Sequence, residues 1–176
     1  SASSISLDVA MPADESTTKN NGKKIFANVG ILNPLGDPGN SYDSGNSVGF
    51  SMSLPKTFTI FKKDFTTGVE LNFTSFSHIG NKDDLNINSI IMHLKTPFGN
   101  LPVDFDFGLA LTHHSKVGLG GTGMLDISYN LPIDKVDLSL VLRINKLVDI
   151  KDGFELDFGA LDSYGIYLKY GQSLNF

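Results

Sequence analysis

The chain has 176 residues, with 14 Lys plus Arg against 19 Asp plus Glu, a formal net charge of −5. That length suits one domain with a sizeable core. At 40% hydrophobic and 19% charged it is no disordered acidic tail. It has no cysteine, which removes disulfide scaffolds, cysteine zinc sites, thiol catalysis and iron–sulfur clusters. No basic stripe offers itself to nucleic acid, so no nucleic-acid partner is expected. The 18 glycines and 13 phenylalanines, with no tryptophan, lean toward an all-β chain.

Taken in chain order, residues 1–22 stand apart. They open on Ser1-Ala2-Ser3-Ser4, small residues of the kind that follow a signal-peptidase cut, so a mature exported chain is expected. They continue through Ile5-Ser6-Leu7-Asp8-Val9 into a polar stretch, read as a tail, a short plug or an extra strand. From residue 23 onward period-two alternation dominates. Val48, Phe50 and Met52 alternate with small polar residues, and Val69, Leu71 and Phe73 alternate with Glu70, Asn72 and Thr74. Val103 to Leu111 places Val, Phe, Phe, Leu and Leu on one face and Asp104 and Asp106 on the other. Leu125–Leu131, Val136–Ile144 and Tyr164–Gly171 repeat the pattern. No apolar run approaches the roughly 18 residues of a membrane-spanning helix, but strands that cross a membrane hide their apolar residues at every second position. Strands are therefore predicted near 23–32, 47–54, 67–77, 85–96, 102–112, 122–131, 135–146 and 163–176, eight in all. The stretch 55–66, with Phe58, Ile60, Phe61 and Phe65, extends a strand or folds back, and the acidic stretch around Phe154, Leu156 and Phe158 extends the last two strands or forms a further hairpin. Either would raise the count toward ten.

The connections differ in kind. Leu54-Pro55, Leu101-Pro102 and Leu131-Pro132 mark short ones, where a missing backbone donor is harmless. Asn33–Asn46, His78–Asp84, His113–Thr122 and Val148–Ser163 are long and polar or glycine-rich. Long and short alternate along the chain.

The chain ends Lys169-Tyr170-Gly171-Gln172-Ser173-Leu174-Asn175-Phe176. This resembles the C-terminal assembly signal of bacterial outer-membrane β-barrels, with Lys169, Gly171, Leu174 and Phe176 on its four defining positions. The alternation of turns and loops over 23–176 is similar to the small eight-stranded members of that family. The resemblance implies an antiparallel up-and-down transmembrane β-barrel over 23–176, a periplasmic extension over 1–22, and a place in the bacterial outer membrane. It implies lipid, lipopolysaccharide and the barrel-assembly machinery as partners, with other envelope proteins as further candidates. Loops 34–46, 78–84, 113–121 and 147–162 would then be extracellular, and 97–101 and 132–134 periplasmic. The competing architecture is a soluble lipocalin-like barrel or sandwich acting as a secreted lectin or adhesin, which alternates equally but turns its apolar face inward.

If the apolar faces meet lipid, Glu70, Asp104, Asp106, Asp126, Asp137, Arg143 and Lys169 point inward. A lipid-facing charge near the midplane costs about 2–4 kcal/mol, so the segregation is physically required. Arg143, the one arginine, is expected to pair with Asp126 on the neighbouring strand and with Asp106 across the interior. His93 is expected on a strand, inside or near the rim. No chemical motif stands out. Gly118 to Gly123 matches G-x-G-x-x-G but precedes a strand rather than a helix, and is read as a loop entering that strand. His113-His114 on a strand point to opposite faces and cannot easily chelate one metal. Asp37, Asn40 and Asp43 lack an EF-hand's ligand spacing. No catalytic residue, metal or cofactor is expected, and the chain is expected not to be an enzyme. The leading function is a structural or surface-exposed barrel, docking a larger envelope assembly in its fullest form. The alternative is a narrow pore or an OmpW-like route for small solutes.

Overall fold

The computed structural model describes residues 23–35, 41–80, 83–116, 118–150, 156–158 and 162–173. They form nine strands: β1 (Lys24–Pro34), β2 (Gly45–Ile60), β3 (Lys63–Phe76), β4 (Leu85–Pro97), β5 (Val103–His114), β6 (Gly118–Asn130), β7 (Asp137–Ile150), β8 (Leu156–Phe158) and β9 (Ser163–Ser173). Each consecutive pair from β1 to β7 is antiparallel, β7 pairs with β9, and β9 pairs with β1 from Lys24–Ser173 to Pro34–Ser163. Eight long strands thus close into an antiparallel up-and-down barrel. β8 stands outside the ring and only lengthens one wall by pairing with Val148, Asp149 and Ile150.

Three elements differ from the expectation. Leu54-Pro55 is no turn: it lies inside β2, at a register shift between Ser53 and Thr57 where the ladder asks nothing of a proline. The chain reverses instead at Phe61-Lys62, both in the left-handed region, with φ of 51° and 62°. Gly118 to Gly123 belongs to β6 from its first residue, because β5 and β6 pair as far as His114–Gly118. β7 likewise runs to Ile150. The stretch 55–66 lengthens β2 and β3, the acidic stretch adds the short β8 outside the ring, and the ring stays at eight. The extension 1–22, Leu174, Phe176, Asp37, Asn40 and Phe154 lie outside the described residues.

The strand faces decide the solvent. Leu140, Leu142 and Ile144 on β7, Phe107, Leu109 and Leu111 on β5, and Ile166 and Leu168 on β9 are all exposed, Leu109 at 76%. Tyr164 near one end of β9, and Tyr170 on β9 with Tyr129 on β6 toward the other, edge this apolar wall as aromatic girdles edge a membrane barrel. Inside sit Glu70, Asp106, Asp126, Arg143 and Lys169. A soluble barrel has the opposite arrangement, so the lipocalin-like alternative fails here. The interior also holds an apolar group, Leu32, Phe76, Leu85, Val141 and Tyr167, with Tyr42 and Ile87 packed on it.

Candidate functional site

The inward positions of an eight-stranded barrel bring side chains of opposite walls within reach of each other. Arg143 shows it. β3 and β7 are four strands apart in either direction around the ring, so Glu70 and Arg143 stand on opposite walls. Arg143 Nη1 and Nη2 nevertheless donate to the two Glu70 carboxylate oxygens, at 2.6 and 3.1 Å. Its Nε and Nη2 donate to Asp126, both at 2.8 Å. Asp126 is the direct register partner of Arg143 on β6. One planar guanidinium is therefore held by two carboxylates and spans the lumen. Its Cζ lies 4.7 Å from the centre of the Tyr167 ring, which closes a further side.

The polar chain continues past Glu70. Asn72 Nδ2 donates to Glu70 at 3.2 Å, and the hydroxyls of Ser47 and Thr74 donate to Asn72 Oδ1, each at 3.0 Å. No motif in the sequence marks this relay. Asn72 and Thr74 share the inward face of β3 with Glu70, so the period-two pattern already carried the signal.

The cross-lumen partner of Arg143 is Glu70 and not Asp106, contrary to expectation. Asp106 is taken by His93, whose Nδ1 lies 2.9 Å from one carboxylate oxygen, both residues being buried. This matters because Asp106 and Asp126 are direct register partners. Like charges directly opposite on neighbouring strands repel. Here each has a separate counter-group, Arg143 for one and His93 for the other. A Cβ at Gly68 would collide with the His93 ring, so a residue without a side chain is what lets the imidazole lie across the wall. Nε2 of His93 has no hydrogen-bond partner, so among the described residues no hydroxyl is placed for it to activate.

The remaining expected residues lie nearer the end with the short turns. Asp104 receives Lys95 Nζ at 2.8 Å and Asn130 Nδ2 at 2.8 Å. Lys169 is buried, with its ammonium 5.0 Å from the centre of the Phe26 ring. Asp137 does not join the central cluster: it pairs with Lys24 at 2.8 Å on the rim, 35% exposed. Of the four C-terminal signal positions, Lys169 and Gly171 lie on β9 beside β1.

Above Arg143, toward the end with the long connections, a cavity of about 40 Å³ touches Leu32, Phe76, Ile87, Thr122, Asn145 and Ser163. That is room for a water or two. Two loops meet over it. Tyr42 and His78 form a β-bridge, their rings edge to face at 5.1 Å, and Lys116 lies 5.4 Å over Tyr42 while donating to the Asp83 carbonyl at 2.8 Å.

This architecture, a closed eight-stranded barrel with an apolar wall and a charged, filled interior, is that of the small outer-membrane β-barrels. No protein-family model matches the chain, and no curated protein matches it. Among solved structures it is similar to the outer membrane enzyme PagL, with a TM-score of 0.59 and 13% identity over 83% of this chain and 97% of that one. It is also similar to Neisserial surface protein A (NspA), with a TM-score of 0.53 and 16% identity over 87% and 97% of the two chains. At such identities the likeness is one of fold. It corrects one expectation. An outer-membrane enzyme shares this fold over nearly all of its length, so the expectation that the chain is not an enzyme does not stand.

Proposed function

We propose that the chain is an integral outer-membrane barrel whose role is structural or surface-exposed, exercised at its wall and its ends rather than through its lumen. The short-turn end faces the periplasm and the long-loop end faces outward. The observation that carries the reading is the guanidinium of Arg143, bound at once to Glu70 and Asp126 on opposite walls. A passage wide enough for a hydrated solute has no room at that level. The apolar wall supports contact with lipid and lipopolysaccharide, and the loop end is the surface offered to other envelope proteins. The C-terminal residues, Lys169 and Gly171 among them, would be read by the barrel-assembly machinery.

Planar-bilayer recording on the refolded, heat-modifiable chain tests the closed lumen. The expected outcome is insertion without discrete conductance steps. Steps of one reproducible size at each insertion would overturn the reading in favour of a narrow pore. A chain that stays folded and dispersed with no detergent or lipid would overturn the membrane placement itself.

A further inference from the structure

The barrel is taller at one place on its turn end. β2 and β3 pair for four residues beyond the register shift, from Thr57–Thr66 to Ile60–Lys63. β1 leaves β2 at Met52, and β4 leaves β3 at Thr66. The hairpin therefore stands clear of the ring on both edges.

Its two faces differ. Phe58 and Phe65 are direct register partners, as are Ile60 and Lys63, and Thr59 and Asp64. One face carries Phe58, Phe65, Ile60 and Lys63, and the other carries Thr57, Thr59, Asp64 and Thr66. The shift at Pro55 keeps the parity of β2, so the apolar face continues the exposed column of Phe50 and Met52. It is thus the lipid side of the wall, carried past the rim. Residues 54–66 hold Lys56, Lys62 and Lys63 against Asp64 alone, a positive hairpin on a chain of net charge −5. Lys56 Nζ rests 5.4 Å from the Phe58 ring centre.

The turn adds a second observation. Both central residues sit at positive φ, where Asn-Gly or Asp-Gly would be relaxed, yet the chain places Phe61 and Lys62 there. Phe61 is 96% exposed. Bulky side chains held in a strained turn and shown wholly to the outside are a sign of use rather than of folding.

We propose that this hairpin is a membrane-surface anchor: Phe58, Ile60, Phe61 and Phe65 enter the interface of the leaflet at the turn end, and Lys56, Lys62 and Lys63 bind the anionic head groups of its phospholipids. The proposal rests on the outer-membrane reading above. Apolar side chains set among lysines, on a face continuous with a lipid-facing wall, are the chemistry of an interfacial anchor, with the lysine stems along the apolar surface and the ammonium groups at the phosphates.

The chain has no tryptophan, so one added residue is a lone reporter. Phe61→Trp and, separately, Leu109→Trp on the wall are refolded into vesicles of phosphatidylcholine, with and without phosphatidylglycerol. Emission and quenching by bromine-labelled lipids are then read. Quenching of the reporter at 109 in both vesicles checks that the barrel spans. The reporter at 61 is expected to shift to shorter wavelength and to be quenched more strongly when phosphatidylglycerol is present. Adding Lys56→Gln, Lys62→Gln and Lys63→Gln should abolish that difference and leave the reporter at 109 unchanged. A water-like reporter at 61 in both vesicles, with 109 quenched, overturns the anchor alone and leaves the face to a protein partner. Equal burial of 61 in both vesicles overturns the head-group assignment. An unquenched reporter at 109 takes down the spanning reading and the anchor with it.

Discussion

The two halves of the lumen are closed by opposite chemistry. Toward the turn end and at mid-height, the filling is ionic: Glu70, Arg143 and Asp126, then His93 with Asp106 and Lys95 with Asp104. Toward the loop end it is uncharged packing: Leu32, Phe76 and Leu85, all but inaccessible, lie under Tyr42 and beside a cavity of about 40 Å³, with the buried hydroxyls of Ser47, Thr74 and Thr112 among them. The ionic half is held by directional bonds, with a separate partner for each of the two carboxylates that face one another, Arg143 for Asp126 and His93 for Asp106. The loop half is held by packing and by neutral hydrogen bonds such as Thr112 with Thr122, and it leaves a small void. The wall outside is the same for both. The barrel therefore owes its closure to geometry at one level and to volume at the other, and the two should fail differently.

The largest loss is expected from Arg143→Ala. It strands Glu70 and Asp126, two buried carboxylates, with no cation between them. Breaking a buried ion pair from one side costs about 3–5 kcal/mol. Urea unfolding in detergent micelles, followed by heat-modifiable migration, measures it. A loss under about 0.5 kcal/mol, the size of an ordinary surface substitution, would show that water reaches the cluster and that the interior is no plug. Phe76→Ala should come next, at about 3 kcal/mol, the lower end for a buried aromatic, because the neighbouring cavity already weakens the packing around it. Its signature should also differ. Packing losses depend little on salt, whereas any water admitted by the Arg143 variant would make its loss salt-dependent. Matching salt responses in the two variants would erase the distinction between the halves.

Alternation carried most of this fold. A period of two fixes which residues share a face, and the sign of the faces separates a membrane barrel from a soluble one once the outer residues are seen to be exposed. It also placed Asp126 beside Arg143, since neighbouring strands differ only by register. It could not place Glu70. Which residue meets Arg143 across the lumen depends on the stagger accumulated over four strands, and no local pattern records that. For the same reason the pattern cannot separate Asp106 from Glu70 as the cross-lumen partner, and it places His93, which meets Asp106, only inside or near the rim. The turn at Phe61-Lys62 was hidden because it uses none of the residues that signal a turn, and Leu54-Pro55, which does signal one, sits at a bulge instead. Parity along β7 points Asp137 inward but says nothing of height. At the first position of β7 an inward side chain is already at the rim.

Height gives the smallest and sharpest test of the comparison. Lys24–Asp137 and Arg143–Asp126 are both ion pairs with 2.8 Å contacts, and both join strands of the same wall. They differ in water. The side chains of the first pair are 46% and 35% exposed, those of the second 3% and 1%. An exposed pair gains little, because solvent screens the attraction and two side chains must be held still. Lys24→Gln should therefore cost about 0.5 kcal/mol or less, and less still in high salt, against several for Arg143→Ala. The remaining Asp137 can turn to water, whereas Asp126 cannot. If Lys24→Gln instead costs more than about 1.5 kcal/mol, a value outside the range of surface pairs, the rim is not solvated. Asp137 would then belong with the interior cluster, and the ionic plug would extend to the very end of the barrel.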